Sequence, residues 1–478
     1  MSFRLRIFLL FFSVWTGAGV VALALSPPVT LTDTYVGLAI SAAEPYTYKI
    51  WKATSPSRLV VDIADTPQAR AGTSIPPELT FNDALVEGVR RAPSPDGSTR
   101  VVLDLAYAVP FWDDLGWVQG ADGVYTLTIV LKRQFVQQQT YPVGNSVRLI
   151  LQHRGETYGP VTVDILAVQV HDPSVKVQLA LAKDGMDGLE TVLSIAKRTG
   201  ALAAVNGTYF HGSGLPLGLM ASYGIPYSPS IYDRSAFLVM KDSSYGISRA
   251  STRMKLVLGE NTDITVNGLN RQRRTGEVVV YNEAYGVCTP KAAGQRELVL
   301  RNGIITSIAL GGTPLTTGTV VVATDPSHSL QKLKVGDALR FVWSIYLLDH
   351  KVEVPGDQVW LALGAGPRLV QAGKVKVTAL EELFRSDITK GRAPRTALGI
   401  TSEGHMLFVV VNGRQEDVSE GMTLQELADL MKELGAVEAI NLDGGGSSTM
   451  VVRDRVINMP SAGERCVGSA ILIFAPTP

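Results

Sequence analysis

The sequence of 478 residues is poor in cysteine and carries no net charge. Only Cys288 and Cys466 are present, so a framework of disulfides does not hold this fold together. A single disulfide between these two cysteines is left as an alternative. Lys and Arg together number 44, and so do Asp and Glu. A protein that neutralises nucleic-acid phosphates usually has a basic excess, so nucleic acid is not expected as a partner.

Several motifs of well-defined chemistry are also absent. No G-x-x-x-x-G-K-[ST] occurs, which excludes a P-loop, and the lack of H-E-x-x-H and C-x-x-C argues against a zinc site. Ser447 and Ser448 lie outside any G-x-S-x-G elbow, which weakens a serine-hydrolase interpretation. The stretch LGAGPRL lacks the third glycine of a dinucleotide-binding loop.

What is present is the composition of a globular protein with more than one core. Hydrophobic residues make up 46% of the chain and charged residues 18%. The length exceeds what a single ordinary core supports, so at least two domains are expected.

The amino terminus has the pattern of an export segment. Arg4 and Arg6 precede an uncharged apolar stretch from Ile7 to Leu25, and no cysteine follows, which excludes a lipoprotein. The run is near the length that spans a bilayer, so residues 1–25 are expected to be a signal peptide or a membrane anchor. The protein should therefore act outside the cytoplasm, secreted or anchored at the cell envelope.

Residues 30–133 are predicted to form a small β-sandwich. Short β-branched runs alternate with Pro, Gly and Asp turn signals, and the segments RLVVDI and RVVLDL (58–63 and 100–105) nearly repeat each other. The polar, Gln-rich stretch 134–145 is expected to be a linker. From 146 to 478 the pattern interleaves strands with helices, so the sequence predicts an α+β (mixed α/β) domain with a mixed sheet. Helices are predicted over LETVLSIAKRTG (189–200) and after the capping box TLQE at 423–426. A strand, AVEAINL, and later a hairpin, MVVRDRVIN, are expected to follow the second helix.

Polar residues and glycines collect at four predicted strand exits of this second domain. Loops at such places commonly hold reactive groups because the strands fix their position. The three candidate catalytic residues are Asp443, Glu464 and His211. The candidate substrate-binding residues are Asn206, Gly207, Gly366, Arg395, Thr396, Arg414, Gly444, Gly445, Gly446, Ser447, Ser448 and Arg465.

The residue types of this set favour an anionic ligand beside a carboxylate. An arginine binds phosphate with two parallel hydrogen bonds, and the amides of a glycine loop form a concave nest for oxygens. A carboxylate can attack carbon or move a proton. The combination predicts a phosphorylated sugar or a phosphodiester as substrate, with no cofactor. A Ca²⁺ ion held by Asp443 and neighbouring carbonyls remains an alternative.

Structural roles are open for several of the same residues. Asn206 could cap a turn, Asp443 could organise the glycine loop, and His211 could be an ordinary loop residue. Arg395 could be a buried structural cation paired with an acid such as Asp443, while Glu464 and Arg465 could pair with each other.

Two resemblances to known families rest on these motifs. Residues 30–133, with RLVVDI, LVEGVRRA, RVVLDL and YTLTIVLK, resemble the AMIN domain, which implies binding to peptidoglycan or another wall polymer. Residues from about 160 onward resemble the phosphodiester glycosidase family through VNGTYF, GAGPRLV, PRTALGI, VNGR, AINLDGGGSSTMV and ERCVGSAIL. That resemblance implies hydrolysis of a sugar-1-phosphodiester. Asn412 stands where many members have Asp, and Thr208 and Tyr209 replace commoner Gly and Phe.

The expected function is an exported glycosidase that cleaves a sugar-1-phosphodiester or a related cell-envelope glycan. Its partners would be that glycan and, through the first domain, peptidoglycan or another wall polymer. Contact with a membrane would involve only the N-terminal segment. The alternative is a non-catalytic polysaccharide-binding protein of cell-wall or exopolysaccharide assembly.

Overall fold

A computed structural model describes residues 28–64, 75–94, 97–259, 262–291, 295–325 and 328–477. The chain divides into two compact units, an N-terminal unit, Met1–Lys132, and a C-terminal unit, Arg133–Pro478. The export segment expected at 1–25 lies outside the described residues. Within the described ranges, no helix has both the length and the apolar character needed to cross a membrane.

The N-terminal unit consists of two antiparallel sheets, in the orders β1-β2-β9-β8 and β3-β4-β7-β6-β5. Its strands are β1 (Val29–Leu31), β2 (Tyr35–Ala42), β3 (Tyr48–Thr54), β4 (Ser57–Ile63), β5 (Glu78–Thr80), β6 (Val86–Pro93), β7 (Thr99–Leu105), β8 (Trp112–Gln119) and β9 (Tyr125–Lys132).

The two nearly repeated segments of this unit are neighbouring strands. β4 and β7 pair antiparallel, with Val60 opposite Val102. Each strand supplies an arginine to the other's aspartate: Arg58 Nε lies 2.8 Å from Asp104, and Arg100 Nε lies 2.6 Å from Asp62. The repeat therefore gives a symmetric pair of strands that are apolar on one face and ion-paired on the other.

The C-terminal unit is also built mainly of strands. Its strands are β10 (Phe135–Gly144), β11 (Val147–Glu156), β12 (Gly159–Val168), β13 (Lys176–Leu181), β14 (Ala203–Asn206), β15 (Met220–Ser222), β16 (Ile225–Ser228), β17 (Ser235–Met240), β18 (Tyr245–Leu258), β19 (Thr262–Thr265), β20 (Gly268–Leu269), β21 (Val279–Tyr281), β22 (Arg296–Arg301), β23 (Ile304–Ala309), β24 (Thr319–Thr324), β25 (Leu339–Leu347), β26 (Val352–Pro355), β27 (Val359–Gly364), β28 (Arg368–Gln371), β29 (Lys374–Val375), β30 (Arg395–Thr401), β31 (Met406–Val411), β32 (Ala436–Asn441), β33 (Met450–Val452), β34 (Arg455–Val456) and β35 (Ser469–Phe474). The α-helices are α1 (Val192–Thr199), α2 (Ser386–Thr389) and α3 (Leu424–Glu433).

Two sheets of this unit position the candidate site. The central sheet has the order β10-β11-β12-β31-β30-β32-β28-β29, and a smaller sheet has the order β13-β35-β14-β33-β34. Both contribute side chains to one buried apolar cluster, for example Leu398 and Phe408 from the first and Val205 and Ile471 from the second. The packed sheets fix the ends of β14, β30 and β32, which carry the polar residues described below.

The expected fold class was wrong. Strands make up 51% of the described residues and helices 8%, and the sheets that these residues form are antiparallel apart from the short β20–β21 pair. The motifs of α1 and α3 suggested a regular alternation of strands and helices, but short turns join most strands. A short turn returns the chain beside the strand it has left, so neighbouring strands run antiparallel. The β character expected of the N-terminal unit agrees with the structure.

The segment 134–145 is not a linker. Residues 135–144 form β10, which pairs along its whole length with β11 at the edge of the central sheet. Its polar composition has a different cause, because most of its side chains face solvent. An exposed edge strand and a linker share the same polar residues, so composition could not separate them.

The two helices expected from sequence signals are present. Thr191 caps α1, and Gly200 follows it in the left-handed conformation at φ 71°. At α3, Thr423 accepts a hydrogen bond from the Glu426 amide while the Glu426 side chain accepts from Thr423 N at 2.8 Å. The strand and hairpin expected after α3 are β32, β33 and β34. Cys288 and Cys466 are both free and exposed.

Candidate active site

The glycine-rich loop joins β32 to β33 and begins with Asp443. The Asp443 carboxylate accepts a hydrogen bond from the Gly444 amide at 3.0 Å and another from the Ser447 hydroxyl. Residues Gly445–Ser447 form one 3-10 turn. Gly445 has φ 60°, a conformation that glycine adopts without steric cost. The loop therefore folds so that Gly444 and Ser447 both contact the Asp443 carboxylate.

Asn206, at the end of β14, joins three segments around this loop. Its Nδ2 donates to the Asp443 carbonyl at 2.7 Å. Its Oδ1 accepts from the Thr396 hydroxyl at 2.8 Å and from the Thr449 amide at 3.1 Å. Asn206 is fully buried, so all these bonds form away from water. These bonds fix the backbone of Asp443 relative to β30 and β33, which is more than the turn cap considered from the sequence.

Asp443 itself is enclosed by protein yet keeps some contact with solvent. Burial raises the pKa of its carboxyl to about 6, against the opposing effects of the bonds from Ser447 and Gly444 and of the positive charge on Arg465. A carboxyl group that titrates close to neutral pH can work in either protonation state. Perturbed carboxyl groups of this kind are frequent at catalytic sites.

Tyr209 and Asn441 form the wall beside Asp443. The Tyr209 hydroxyl donates to the Gly366 carbonyl at 2.8 Å and accepts from Asn441 Nδ2 at 2.8 Å. Burial raises the pKa of the Tyr209 phenol, and the negative charge of Asp443 raises it further. The phenol therefore stays neutral and close to the carboxylate. Gly366 takes part through its backbone carbonyl.

Arg395 and Thr396 begin β30 on the other side of the loop. The Arg395 guanidinium donates to three carbonyls, those of Met422 at 2.8 Å, Ile388 at 3.1 Å and Gly391 at 3.1 Å. Arg395 is thus a buried structural cation, but within the described residues it forms no ion pair with Asp443 or another acid. Burial lowers the pKa of Arg395, and the nearby positive charge of Arg414 lowers it further. Arg395 holds the segments around α2 together and adds positive potential to the site.

Arg414 and Arg465 lie against the glycine loop with exposed side chains. A methyl group built on Gly445 would lie 3.5 Å from Arg414 Nη2, and one built on Gly446 would lie 3.5 Å from Arg465 Cδ. Neither guanidinium has a carboxylate partner within the described part of the chain. Two exposed cations without a carboxylate in ion-pair contact thus lie against the loop that carries Asp443, an arrangement suited to an anionic group.

Four buried polar atoms near the loop lack a hydrogen-bond partner in the described structure. They are Asn441 Oδ1, Ser448 Oγ, Thr449 Oγ1 and Ser469 Oγ. Ser469 Oγ lies close to Gly207, where an added methyl group would stand 2.5 Å away. Unpaired polar groups are uncommon in a core that serves stability alone, so their concentration here marks a functional region.

Two candidate catalytic residues have other surroundings. Glu464 Oε1 accepts a hydrogen bond from the Leu193 amide at 2.8 Å, in the first turn of α1. The start of a helix carries a partial positive charge, so a carboxylate is stabilised there without any catalytic role. The described structure shows no ion pair between Glu464 and Arg465. His211 is exposed in a turn closed by the bond from Gly214 N to His211 O at 2.7 Å. The structure brings neither side chain into hydrogen-bond contact with Asp443.

A buried carboxylate that the sequence analysis missed lies behind the loop. Asp164, on β12, accepts from Asn412 Nδ2 at 3.1 Å. Asn412 Oδ1 accepts from Asn458 Nδ2 at 3.4 Å, and Asn458 Nδ2 also donates to the Ser448 carbonyl at 3.0 Å. This chain of amides connects Asp164 to the glycine loop. The only signal in the sequence was a single acidic residue within an otherwise apolar strand.

Three cavities of similar size lie elsewhere in the C-terminal unit. Their volumes are about 520, 440 and 430 Å³, and they are lined by Tyr245, Trp343 and Tyr227, respectively, among other residues. None of the three includes a residue of the glycine loop. The candidate site is therefore distinguished by its chemistry, a largely enclosed carboxyl on a loop beside two arginines. Among the described residues, no group of three or more His, Cys, Asp or Glu side chains could hold a metal ion.

Comparison with family models confirms both resemblances. Residues 275–474 match the phosphodiester glycosidase family, and residues 29–113 match the AMIN domain. The glycine loop, Arg395 and Arg414 lie inside the first match, whereas Asn206 and Tyr209 precede it.

Curated relatives match over shorter stretches. The N-acetylglucosamine-1-phosphodiester alpha-N-acetylglucosaminidase of Mus musculus is 39% identical over 111 residues, which are 23% of this chain and 21% of the relative. The SPbeta prophage-derived uncharacterized protein YomE of Bacillus subtilis is 33% identical over 119 residues, 25% of this chain and 17% of the relative. The matched stretch thus spans about a fifth of the length of these relatives.

A solved structure covers both units. A hypothetical protein from Synechocystis has a TM-score of 0.61 at 20% identity, covering 92% of this chain and 78% of its own. A putative exported protein from Burkholderia pseudomallei has a TM-score of 0.56 at 21% identity, covering 91% and 98%. At these identities the likeness concerns the fold.

Proposed function

We propose that the C-terminal unit hydrolyses a sugar-1-phosphodiester at the anomeric C–O bond, outside the cytoplasm. The observation that carries this proposal is a largely enclosed Asp443 carboxyl on a glycine loop against which two exposed guanidinium groups lie, those of Arg414 and Arg465. The match to the phosphodiester glycosidase family and the activity for which the mouse relative is named support the same reaction class.

The reaction needs water, a phosphate site and a group at the anomeric carbon. Water supplies the hydroxyl that ends on the sugar, the C1–O bond breaks, and the electron pair leaves with the phosphate oxygen. The products are a free sugar and a phosphomonoester. A phosphate oxygen is a weak base, so its departure needs less protonation by an acid than that of an ordinary glycoside.

The residues divide between these tasks. Arg414 and Arg465 bind the two non-bridging phosphate oxygens and disperse their charge. Asp443 acts in its ionised form at the anomeric carbon, either directly or by taking a proton from water. Asn206 fixes the Asp443 backbone, and Tyr209 supplies a neutral hydroxyl beside the carboxylate. Arg395 supports the site through its three carbonyl contacts rather than by binding phosphate.

In this proposal the N-terminal unit attaches the protein to the cell wall. Its match to the AMIN domain, together with the exported character of one structural neighbour, supports attachment to peptidoglycan or another wall polymer. The substrate would then be a phosphodiester-linked glycan of the envelope.

The test is a hydrolysis assay with the full chain. The methyl phosphodiester of N-acetylglucosamine-1-phosphate is incubated with the wild type and with Asp443→Asn, and free sugar is measured. We expect release by the wild type and a loss of about 10²–10⁴-fold in the variant, with an unchanged melting temperature. Asp242→Asn, on the surface, is the matched control and should keep full activity. Binding of the diester without release of sugar would favour a polysaccharide-binding protein instead.

A further inference from the structure

A row of stacked side chains runs from the Asp443 site to the surface. The Tyr209 ring lies 5.7 Å from the Phe384 ring, measured between centroids. The Arg234 guanidinium carbon lies 3.8 Å from the centroid of Phe384 and 5.3 Å from that of Tyr232. Tyr232 ends the row, with 61% of the residue exposed.

Arg234 is held rigidly in this row. Its Nε donates to the Glu382 carbonyl at 3.1 Å and its Nη2 to the Leu383 carbonyl at 3.3 Å. Glu382 is itself fully buried, and its carboxylate accepts from the Ser235 amide and hydroxyl, both at 2.8 Å. Arg234 Nη1 makes no hydrogen bond within the described structure. One end of a fixed guanidinium is therefore available to a ligand.

The outer end of the row is apolar and solvent-exposed. Leu383 is 60% exposed and Leu380 is 86% exposed, and the bond from Leu383 N to Leu380 O at 3.2 Å joins them in one turn. Tyr232 and Leu383 have φ values of 52° and 54°, an uncommon conformation for residues with large side chains. An exposed apolar surface of this kind marks a binding site more often than isolated exposed residues do.

The row lies away from the proposed phosphate site. Tyr209 and Phe210 are consecutive, but their side chains contact different groups. Phe210 lies beside Arg465, 5.7 Å from ring centroid to guanidinium carbon, whereas Tyr209 packs against Phe384. Arg465 is assigned to the phosphate, so the row that starts at Tyr209 belongs to the sugar end of the substrate.

We propose that Tyr232 and Arg234 form a subsite for a second sugar ring, linked to the sugar whose anomeric carbon is attacked. The substrate class is therefore an oligosaccharide-1-phosphodiester. A pyranose has an apolar face of C–H groups that stacks on Tyr232 and hydroxyls that accept from Arg234. An acyl chain would bury the guanidinium without a hydrogen-bond partner, which is costly. Tyr232 and Arg234 precede the matched segment 275–474, so the subsite is a feature of this chain outside that match.

This inference rests on the proposed function, and the experiment separates the two. The probes are the methyl phosphodiesters of N-acetylglucosamine-1-phosphate and of the corresponding β1-4-linked disaccharide-1-phosphate. For the full-length wild type, we expect a KM about tenfold lower for the disaccharide probe. Tyr232→Ala should remove this preference by raising KM for the disaccharide alone, with kcat unchanged. Tyr232→Phe, which keeps the ring, should behave as the wild type.

Melting temperatures of the three proteins show whether the exposed substitutions leave the fold intact. Equal KM values for both probes in the wild type, or an unchanged preference in Tyr232→Ala, would overturn the subsite. If the wild type hydrolyses neither probe, the proposed function fails, and calorimetric binding of the same probes then decides on the subsite. A disaccharide preference that Tyr232→Ala abolishes upholds it. Equal or undetectable binding of the two probes overturns it.

Discussion

Asp164 and Asn412 form a buried pair in which Asn412 Nδ2 donates to Asp164 Oδ2 at 3.1 Å. Asp164 has no cationic partner among the described residues. Asn412 also accepts from the Met459 amide at 2.7 Å, which ties the pair to the segment that follows the glycine loop. The carboxylate is thus satisfied by neutral donors alone. Burial accordingly raises its pKa to about 6, despite the hydrogen bond from Asn412.

The first prediction concerns stability at different pH values. In the unfolded chain Asp164 ionises near its ordinary pKa, whereas in the folded protein it stays protonated up to about pH 6. The folded state binds more protons in this window, so its stability falls as the pH rises from about 4 to 6 and stays lower above. Asp164→Asn should remove a cost on the order of 2–3 kcal/mol at pH 8 and have little effect at pH 4.

Chemical denaturation of the wild type and Asp164→Asn at both pH values measures this difference. Asp242→Asn is the control, because the pKa of that surface carboxyl is lowered by hydrogen bonds to Ser244 and no stabilisation at pH 8 is expected. An Asp164→Asn protein whose stability relative to the wild type is the same at both pH values would contradict the assignment.

The second prediction is a pH profile of activity. If Asp443 acts ionised, kcat/KM should rise as the pH increases through about 6, since the raised pKa delays formation of the carboxylate. Rates measured between pH 4 and 8 on the methyl phosphodiester test this. A rate that instead falls through pH 6 would show that Asp443 serves as a proton donor.

The third prediction separates Arg414 from Arg395. Arg414→Ala should raise KM by about ten- to a hundredfold with no change in melting temperature, because its exposed guanidinium is proposed to bind the phosphate and makes no ion pair within the described residues. Arg395→Lys should lower the melting temperature, because an ammonium cannot reach the three carbonyls that the guanidinium joins. Arg148→Ala, at an exposed position of β11, is the control for removal of one positive charge. If Arg395→Lys has an unchanged melting temperature and a raised KM, Arg395 binds the phosphate and the structural role is wrong.

The fourth prediction concerns the N-terminal unit. The full chain should sediment with purified peptidoglycan, and residues 133–478 alone should stay in the supernatant. Cellulose serves as the control polymer. Equal sedimentation of both proteins with peptidoglycan would assign wall binding to the C-terminal unit.

Local signals in the sequence predicted individual elements well. Thr423 and Glu426 identified the start of α3 because a capping box depends on residues three positions apart. The fold class was missed because it depends on which strands become neighbours, as when β30 lies between β31 and β32. Periodicity within a segment contains no information about such pairing.

The candidate site was predicted in part for the same reason. Asp443 and Asn206 are far apart in sequence. Each follows an apolar run and directly precedes a glycine, so each could be identified individually as a residue at a strand exit. Arg234 and Asp164 could not, because their significance comes from neighbours such as Phe384 and Asn412. Arg395 and Arg414 looked alike in sequence, and only the carbonyls around Arg395 distinguish their roles.

Strand β10 determines where a fragment containing the C-terminal unit alone should begin. A fragment that starts at residue 146 would lack β10 and leave β11 as the edge of the central sheet. In such a fragment the backbone amides and carbonyls of β11 that now pair with β10 would be unpaired. Several side chains of β11 are apolar and buried, so the new edge would also be hydrophobic. Such an edge invites intermolecular pairing and aggregation. Strand β10 therefore belongs to the C-terminal unit, and a fragment of that unit should start at residue 133.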